Sequence, residues 1–434
     1  MATSSYHQQR DTLTEAPRGC TVNHDWSPLD DDYLDDPYPT ARQFGEQCPV
    51  MFASQLGYVV VSRMEDIIAV FTDPETCASV NVQDPVFPLS GEAAAVLGAA
   101  DFDPVAVMSN SSEPDHGRIR VFSREGFSNS RLKALEPYIV RRTHELIDRM
   151  LTMSTPVELV AAFAFPLPGE TVFRLLGFPE ADDDMLKSWC LDRKAFQWGH
   201  PTPDQQRDIA EHMVAYWRYC RQFTARRMVE PADDFAGELL AAHRLHPEQL
   251  SYREVESIIY GLSFAGHEAV TSLIGNALLC LLPRRDQWAE LVADPRLVAN
   301  AVEEVLRFES SQISWRRLTT RDTVLGGLQI PSGTPILLNF AAANHQADIF
   351  AEPHVFDIHR PNASKHISFG KGIHYCLGAN LAKLELRIVL EALSQRIPSL
   401  RLVPGQDVRR FPNITFRGPE RLLVEWDDVE RGAG

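Results

Sequence analysis

One long helical pattern constrains the fold of this chain more than any other feature of its sequence. The pattern begins at Ser251, where Ser251 and Glu254 have the spacing of a capping box, and it ends at Leu282, because Pro283 cannot continue a helix. At a rise of 1.5 Å per residue the helix would be about 45 Å long, which is enough to cross a whole domain. Its middle is apolar on nearly every side, as is typical of a helix buried in a large protein. We therefore expect a long buried helix that crosses the domain.

The rest of the chain is mostly helical in pattern, with a small amount of sheet. Strand-like stretches occur at residues 57–62, 311–319 and 334–340, and the turn residues 331–333 lie between the last two. Helical periodicity dominates elsewhere. The sequence therefore predicts a mainly α-helical fold with minor β structure.

Composition bears on the partners and the compartment of the protein. A formal net charge of −17 argues against nucleic acid as a partner. The seven cysteines are scattered and contain no CxxC motif, which favours free thiols in a reducing compartment over a disulfide framework. Residues 1–26 lack the apolar core of a signal peptide, and no uncharged apolar run reaches the roughly 20 residues that a membrane span needs. We expect a soluble, cytoplasmic protein without a membrane partner.

A glycine-containing loop before the last long helical pattern carries the strongest chemical signal. Residues 369–378 read FGKGIHYCLG, and Cys376 lies where the helical pattern begins. The N–H groups and the dipole at a helix N-terminus lower the pKa of a thiol. Gly370 and Gly372 let the backbone adopt positive φ and approach the sulfur closely, and Phe369 can shield the sulfur from water. These residue types suit a cysteine thiolate that binds a metal.

This loop resembles the haem-binding signature of the cytochrome P450 superfamily, in which one cysteine thiolate binds the haem iron. The alternative is a buried structural cysteine after a glycine-rich turn, which six specified positions in one order disfavour. The resemblance implies a single-domain cytochrome P450 fold that holds haem b between the long distal helix and the helix after the cysteine loop, with O2 as co-substrate. It assigns Cys376 as the axial ligand of the iron, Phe369 and Gly370 as cofactor neighbours, and His374 as a donor to a haem propionate.

The resemblance also sets the domain boundaries. A length of 434 residues alone would suggest two or three domains. However, the segments that resemble the family follow one order from Asp36 to Trp426. We therefore expect one cytochrome P450 domain over residues 27–430, preceded by a polar, disordered extension over residues 1–26.

The middle of the long helix resembles the oxygen-binding segment of the family. Ala265 and Gly266 are small, which would let the helix pass close over the iron and leave room for dioxygen. Glu268 would be the acidic end of a proton path; its alternative role is a carboxylate that only forms hydrogen bonds within a distorted helix. Ala269 departs from the family, which has a threonine there whose hydroxyl helps to protonate the distal oxygen. The resemblance implies that a substrate hydroxyl or an ordered water replaces that hydroxyl.

Basic residues far apart in the sequence resemble the propionate-binding groups of the family. His116 and Arg120 are one helical turn apart, and Arg317 lies on a predicted strand. For each of them taken alone, the alternative is a surface charge. All three in the family order favour contacts with the two haem propionates.

A second charged group resembles the part of the family that supports the cysteine loop. Glu304 and Arg307 are three residues apart, so they share one helix face and can form an ion pair. Such pairs are common on any solvated helix. The resemblance adds Arg360 and implies that the three side chains form a network that braces the loop.

The sequence is less informative about the substrate and the electron source. Phe87, Trp198, Trp315 and Phe416 would suit an apolar or aromatic substrate, although each of them could equally be plain core. The chain has no flavin motif and no iron–sulfur cysteine cluster, so we expect electrons from separate proteins, a ferredoxin and an NAD(P)H-dependent ferredoxin reductase. The ferredoxin would dock on a basic patch formed by Arg118, Arg124, Arg131, Lys133 and Lys371.

Together these features predict a haem-thiolate monooxygenase that oxidises a mid-sized apolar or aromatic molecule in natural-product biosynthesis. Two alternatives stay open at this point. Ala269 leaves room for oxidative coupling or desaturation without net oxygen insertion. A non-catalytic haem-binding protein is disfavoured by the acidic Glu268 and by the apolar pocket segments.

Overall fold

The computed structural model describes residues 13–190 and 193–427, and most of these residues lie in helices, as the sequence predicts. The helices of the described chain are α1 (Asp31–Asp35), α2 (Tyr38–Gln47), α3 (Met64–Thr72), α4 (Gly91–Ala99), α5 (Asp115–Glu125), α6 (Asn129–Leu151), α7 (Pro166–Leu176), α8 (Asp183–Cys190), α9 (Arg193–Trp198), α10 (Pro203–Val229), α11 (Phe235–Leu245), α12 (Tyr252–Leu281), α13 (Arg285–Ala293), α14 (Val298–Phe308), α15 (Phe340–Ala343) and α16 (Ala379–Arg396).

The predicted long helix is α12, and both ends of the prediction are confirmed to within a residue. The Ser251 hydroxyl accepts a hydrogen bond from the backbone N–H of Glu254, and the Glu254 carboxylate accepts one from the backbone N–H of Ser251. By length and composition α12 is also the one described helix that could cross a membrane. However, 78% of its apolar window is buried inside the protein, as expected for a core helix. The largest apolar core packs around it, between α6, α7, α14 and α16.

The strands form two small sheets and a hairpin. They are β1 (Thr21–Asn23), β2 (Val50–Ala53), β3 (Tyr58–Val61), β4 (Cys77–Ala78), β5 (Val157–Glu158), β6 (Ser314–Thr319), β7 (Thr323–Leu325), β8 (Leu328–Ile330), β9 (Pro335–Asn339), β10 (Arg401–Leu402) and β11 (Leu423–Glu425). The larger sheet has the order β1-β2-β3-β9-β6-β4, the smaller has the order β10-β11-β5, and β7 pairs with β8. The three predicted strand regions correspond to β3, β6 and β9.

The prediction of a disordered extension over residues 1–26 is wrong for its second half. Residues 1–12 lie outside the described residues, but β1 pairs in parallel with β2. The indole of Trp26 is buried, with ring centroids 5.2 Å from Tyr33 and 5.1 Å from Phe44. Backbone pairing and the burial of one large aromatic ring order a segment whose polar composition suggested disorder. The folded domain therefore starts before residue 27, and its predicted end at residues 428–430 lies outside the described chain.

Candidate active site

The cysteine loop is a compact turn that leads into α16. The backbone N–H of Cys376 donates to the carbonyl oxygen of Phe369 over 3.0 Å. Gly370 and Gly372 have φ values of 71° and 69°, which L side chains rarely adopt. A Cβ atom on Gly372 would lie 2.5 Å from the carbonyl oxygen of Phe71, so the loop can pack on α3 only with glycine there. The predicted role of the glycines in shaping this loop therefore has a steric basis.

The surroundings of Cys376 act on its thiol in opposite directions. Burial raises the pKa of the thiol, and the backbone N–H groups of Gly378 and Ala379 and the charge of Arg120 oppose this rise without cancelling it. The groups expected to lower the pKa are thus present, but the protein alone does not deprotonate the thiol. The side chain is nevertheless exposed although it lies deep within the chain, so it borders an internal cleft. Coordination of a cation at this cleft would supply the missing stabilisation of the thiolate.

The basic residues expected at the propionates come together beside this loop. The imidazole rings of His116 and His374 have centroids 4.1 Å apart, and Arg120 donates to the carbonyl oxygen of Tyr375, the residue before the cysteine. Arg317 on β6 and Arg120 on α5 both lie close enough to lower the pKa of His374. The fold therefore gathers side chains from α5, β6 and the cysteine loop at one place.

This cluster lacks the negative charge that would stabilise it. Arg317 is 2% exposed, no carboxylate of the described residues pairs with it, and burial lowers its pKa to about 10. Burial, followed by the charge of Arg317, lowers the pKa of His374 to about 3. The Nε2 atom of His116 is buried without a hydrogen-bond partner, and only Nδ1 is paired, with Glu113 at 3.0 Å. Buried unpaired cations are unfavourable unless an anion joins them, so the residues fit a haem with two carboxylates.

Protein groups already lie within hydrogen-bond distance of both nitrogens of His374, which was predicted to donate to a haem propionate. Its Nδ1 atom lies 3.1 Å from the carbonyl oxygen of Met108, which can only accept, so Nδ1 carries the proton of the neutral ring. Nε2 lies 3.2 Å from the hydroxyl of Ser79, which can donate its one hydrogen either to this nitrogen or to the carbonyl oxygen of Ser111, also 3.2 Å away. A contact between His374 and a propionate would require the ring to give up one of these partners.

The middle of α12 borders a cleft on one side only. Ala265 is exposed and Ala269 is partly exposed, although most of the helix is buried. The two residues are one turn apart and therefore share a face. Gly266 has another role than the sequence suggested, because a Cβ atom there would lie 2.8 Å from Cγ2 of Val172. Gly266 thus permits close packing of α12 on α7, and Ala265 and Ala269 mark the open face.

Glu268 is part of a buried ion pair that the sequence did not reveal. Nζ of Lys194 on α9 lies 2.6 Å from Oε2 of Glu268, and the side chains are 6% and 4% exposed. The ammonium also lies 3.1 Å from the ring centroid of Phe411. The available signal was a lysine close in sequence to the aromatic Phe196 and Trp198, since a lysine buried with them needs a partner. The carboxylate expected to serve the proton path is therefore held by a cation.

The predicted network of Glu304, Arg307 and Arg360 is confirmed and fully buried. Arg307 donates to both carboxylate oxygens of Glu304 over 2.8 and 2.7 Å, and Nε of Arg360 donates to Oε1 over 3.1 Å. Arg307 also donates to the carbonyl oxygen of Asn344 over 3.0 Å. The side chain of Asn344 accepts from the backbone N–H of Ile367 over 2.8 Å, directly before the cysteine loop. Asn344 therefore links this brace to the loop.

The aromatic residues expected at the substrate belong to one apolar cluster. Ring centroids of Trp198 lie 4.9 Å from Phe416 and 6.1 Å from Trp315. Phe87 and Ala269 pack against the same cluster. We call Phe87, Trp198, Trp315 and Phe416 the apolar wall; Phe87 and Trp315 are partly exposed, whereas Trp198 and Phe416 are only 3% and 5% exposed.

The expected basic patch is smaller than predicted. Arg118 is paired with Asp115 at 2.8 Å and with Glu254 at 2.7 Å, and Arg131 is paired with Glu238. The exposed side chains of Arg124, Lys133 and Lys371 have no ion pair within the described part of the chain. Of the five predicted cations, these three therefore remain available to a partner. The apolar side chains of Val121 on α5 and Tyr375 in the cysteine loop are exposed as well.

Sequence comparison places this chain among well-defined relatives. A family model described as Cytochrome P450 matches residues 284–413. The chain is 36% identical over 322 residues to Cytochrome P450 107B1 of Saccharopolyspora erythraea, covering 73% of this chain and 76% of the relative. It is 35% identical over 318 residues to the mycinamicin IV hydroxylase/epoxidase of Micromonospora griseorubida, covering 72% and 78%.

Comparison with solved structures extends the similarity to nearly the whole chain. An intact type IV self-sufficient cytochrome P450 monooxygenase matches with a TM-score of 0.92 at 34% identity, over 96% of this chain and 55% of that one. The cytochrome P450 CREJ in complex with (4-ethylphenyl) dihydrogen phosphate matches with a TM-score of 0.89 at 34% identity, over 93% and 100%. The similarity therefore covers the distal helix and the substrate side as well as the cysteine loop.

Proposed function

The chain belongs to the cytochrome P450 superfamily and is a haem monooxygenase, and from this premise we propose that it oxidises a mid-sized apolar or aromatic molecule. Hydroxylation in natural-product biosynthesis, in the cytoplasm, is the role that we assign to it. The observation that carries the substrate class is the apolar wall of Trp198, Trp315, Phe416 and Phe87 beside Ala269. Relatives named for the oxidation of mycinamicin and of vitamin D3 support an apolar substrate.

We assign the cofactor contacts to the residues that converge at the cleft. The family implies a haem with a cysteine thiolate ligand, and we propose haem b with Cys376 as that ligand. When bound, this group activates O2, and electron donation from the thiolate favours cleavage of the O–O bond. His116, Arg120 and Arg317 hold the propionates, because Arg317 is a buried cation to which no described carboxylate is paired. Phe369 shields the sulfur, and the brace of Glu304, Arg307 and Arg360 keeps the loop in place.

Proton delivery must use groups other than a hydroxyl at position 269. We propose that Glu268 is the acidic end of the path and that Lys194 fixes the position of its carboxylate by pairing with Oε2. The protons reach the cleft through a water near Glu268 or through a polar group of the substrate itself. Ala265 and Ala269 leave the space that either route needs.

A second candidate is oxidation without net oxygen insertion, such as coupling or desaturation. Ala269 is the observation that favours it, because a site without the hydroxyl that helps to protonate the distal oxygen has less control over that step. The substrate would have to be an activated aromatic or aliphatic molecule that packs against the same apolar wall. The cofactor contacts would be the same in both cases.

Redox partners are implied by the family, and we propose a ferredoxin with an NAD(P)H-dependent ferredoxin reductase. The unpaired cations Arg124, Lys133 and Lys371 near the cysteine loop suit an acidic ferredoxin. Val121 and Tyr375, which are 54% and 40% exposed, add apolar contact area. A self-sufficient relative of which this chain covers 55% makes a single reductase polypeptide the alternative electron source.

Isotope labelling separates the two candidate reactions. Compounds are first screened for a shift in the iron absorption spectrum that reports displacement of its water ligand. The best ligand is then turned over under ¹⁸O2 with ferredoxin, reductase and NADH, and the product is analysed by mass spectrometry. A product with one labelled oxygen supports monooxygenation. An unlabelled coupled or desaturated product would contradict it and favour the second candidate.

A further inference from the structure

A buried polar cluster joins the N-terminal helices to the loop that carries Phe416. The hydroxyl of Tyr38, at the start of α2, donates to Oε2 of Glu309 over 2.9 Å. Nε of Arg417 donates to Oε1 of the same carboxylate over 2.7 Å. The side chains of Arg417 and Glu309 are only 4% and 8% exposed. We call Tyr38, Glu309 and Arg417 the N-terminal clasp.

The remaining nitrogens of Arg417 bind the end of α1. One terminal nitrogen donates to the carbonyl oxygen of Leu34 and the other to that of Asp35, the latter over 2.8 Å. Carbonyl groups at the C-terminus of a helix carry partial negative charge, so they suit a guanidinium. On the other side, Nδ2 of Asn276 on α12 donates to the carbonyl oxygen of Arg417 over 2.9 Å. The guanidinium and the backbone of Arg417 are therefore both fixed.

The residue before Arg417 belongs to the apolar wall. Phe416 pairs with Gln312 in an isolated bridge, and its ring contacts Trp198 with centroids 4.9 Å apart. Two positions earlier, the backbone N–H of Ile414 donates to the carbonyl oxygen of Trp198 over 2.9 Å. A displacement of Arg417 would therefore be passed to Phe416 and from there to Trp198.

The N-terminal segment also reaches this wall through packing. Trp26, Tyr33 and Phe44 lie in the same apolar cluster as Trp198 and Phe416. Close-packed side chains transmit small displacements, because a packed interior has few voids that could absorb them. The clasp and this packing therefore both support the apolar wall from the side of the N-terminal segment.

We propose that the N-terminal clasp determines substrate specificity by positioning Phe416 and Trp198. Its residues are positioning residues that act on the substrate only through the wall. They are other residues than the brace of Glu304, Arg307 and Arg360, but the ring of Tyr38 packs on His345, next to Asn344, with centroids 4.3 Å apart. Removal of the Tyr38 hydroxyl keeps this ring contact, so it changes the fit of molecules that reach the wall and leaves the cofactor contacts intact. The inference rests on the proposed haem site, and the absorption band of the haem is used to measure ligand binding.

Two azole probes separate these effects, because both bind the iron but only one reaches the wall. Imidazole is small, whereas 4-phenylimidazole carries a phenyl ring into the pocket. Tyr38→Phe removes a single hydroxyl from the clasp. Because the wall then loses part of its support, we expect the variant to weaken binding of 4-phenylimidazole about tenfold, which corresponds to about 1.4 kcal/mol. Imidazole should change less than about twofold. Affinities are read from the shift of the haem absorption band.

Tyr219→Phe is the matched control. It removes a hydroxyl that donates to Asp182 over 2.7 Å, but Tyr219 belongs to a different apolar cluster, so both probes should bind as in the wild type. Arg417→Lys keeps the charge beside Glu309 and loses the carbonyl contacts, and it should shift the ratio of the two affinities in the same direction as Tyr38→Phe. This second variant decides the question if Tyr38→Phe does not fold.

The other outcomes overturn the inference. An unchanged ratio of the two affinities in folded Tyr38→Phe would show that the clasp does not position the wall. An equal loss for both probes, or the same change in Tyr219→Phe, would show a general structural effect. A wild-type protein that binds no haem would instead contradict the proposed function, so the two failures can be told apart.

Discussion

At the scale of single residues, the ion pair of Lys194 and Glu268 is the least expected part of the site. Its atoms are 2.6 Å apart and both side chains are almost completely buried. Removing one partner from such a pair leaves an uncompensated buried charge, at a cost of roughly 3–5 kcal/mol. The position of the Glu268 carboxylate therefore depends on Lys194.

Lys194→Met should lower the product formed per NADH consumed. Without the ammonium, the buried carboxylate of Glu268 loses the contact that fixes Oε2, so the proposed proton path loses its geometry. Lys187→Met is the control, since Lys187 forms a pair with Glu170 at 3.0 Å away from α9. Unchanged coupling in folded Lys194→Met would show that Glu268 does not carry the protons.

A second residue makes the stability of the fold depend on pH. Burial lowers the pKa of His345 to about 3, whereas a histidine of the unfolded chain has a pKa of about 6.5. Between these two pKa values, His345 is therefore protonated in the unfolded state but neutral in the folded state. The contribution of neutral His345 is fully present above pH 6.5 and is lost as the pH falls from about 6.5 towards 3, at about 1.4 kcal/mol per pH unit.

His345→Gln should reduce this dependence. The fall in the free energy of unfolding between pH 7 and pH 5, measured with urea, should be smaller in the variant by about 2 kcal/mol. Glutamine can still donate to the carbonyl oxygen of Ala341, which now lies 3.0 Å from Nδ1 of His345. An equal fall in both proteins would mean that His345 is protonated in the folded state.

At the scale of elements, the brace connects α14 to the segment before the cysteine loop. Arg307 donates to the carbonyl oxygens of Asn344 and Pro353 over 3.0 and 2.8 Å as well as to Glu304. A buried ionic network of this kind specifies geometry more reliably than it adds stability. Its geometry is what places the loop against α3.

Glu304→Ala should therefore produce mostly haem-free protein. The variant leaves the buried Arg307 without its carboxylate, at a cost of roughly 3–5 kcal/mol. Glu180→Ala breaks the exposed pair with Arg174, whose atoms are 3.4 Å apart, and should cost about 1 kcal/mol or less. Haem content and thermal unfolding are measured for both. Full haem loading in Glu304→Ala would contradict the bracing role.

At the scale of the whole molecule, the sequence predicted the features that depend on residues close together in the chain. The ends of α12 follow from a capping box and a proline, and Gly372 follows from a turn that needs positive φ. Contacts between distant segments were not predictable in this way. The pairing of Arg118 with the nearby Asp115 was visible in the sequence, but its second partner Glu254 lies 136 residues away. Lys194 likewise contacts Glu268 only in the folded chain.

The order of residues 13–26 also depends on contacts between distant segments that the sequence did not reveal. Their polar composition indicated disorder, yet β1 is held by the backbone of β2, and Trp26 is held by Tyr33 and Phe44. Hydrogen bonding by the backbone does not depend on side-chain polarity, so composition cannot predict it. Trp26 also lies in the same apolar cluster as Trp198 and Phe416, so the segment packs on the rest of the fold.

We propose that Cys376 is the thiolate ligand of the haem, and the absorption spectrum of the reduced carbon monoxide complex tests this assignment most directly. The wild-type protein should show the long-wavelength band that gives the family its name. Cys190→Ala and Cys280→Ala, which change buried cysteines elsewhere in the fold, should keep the band, and Cys376→Ala should lose it. A band that persists in Cys376→Ala would contradict the account.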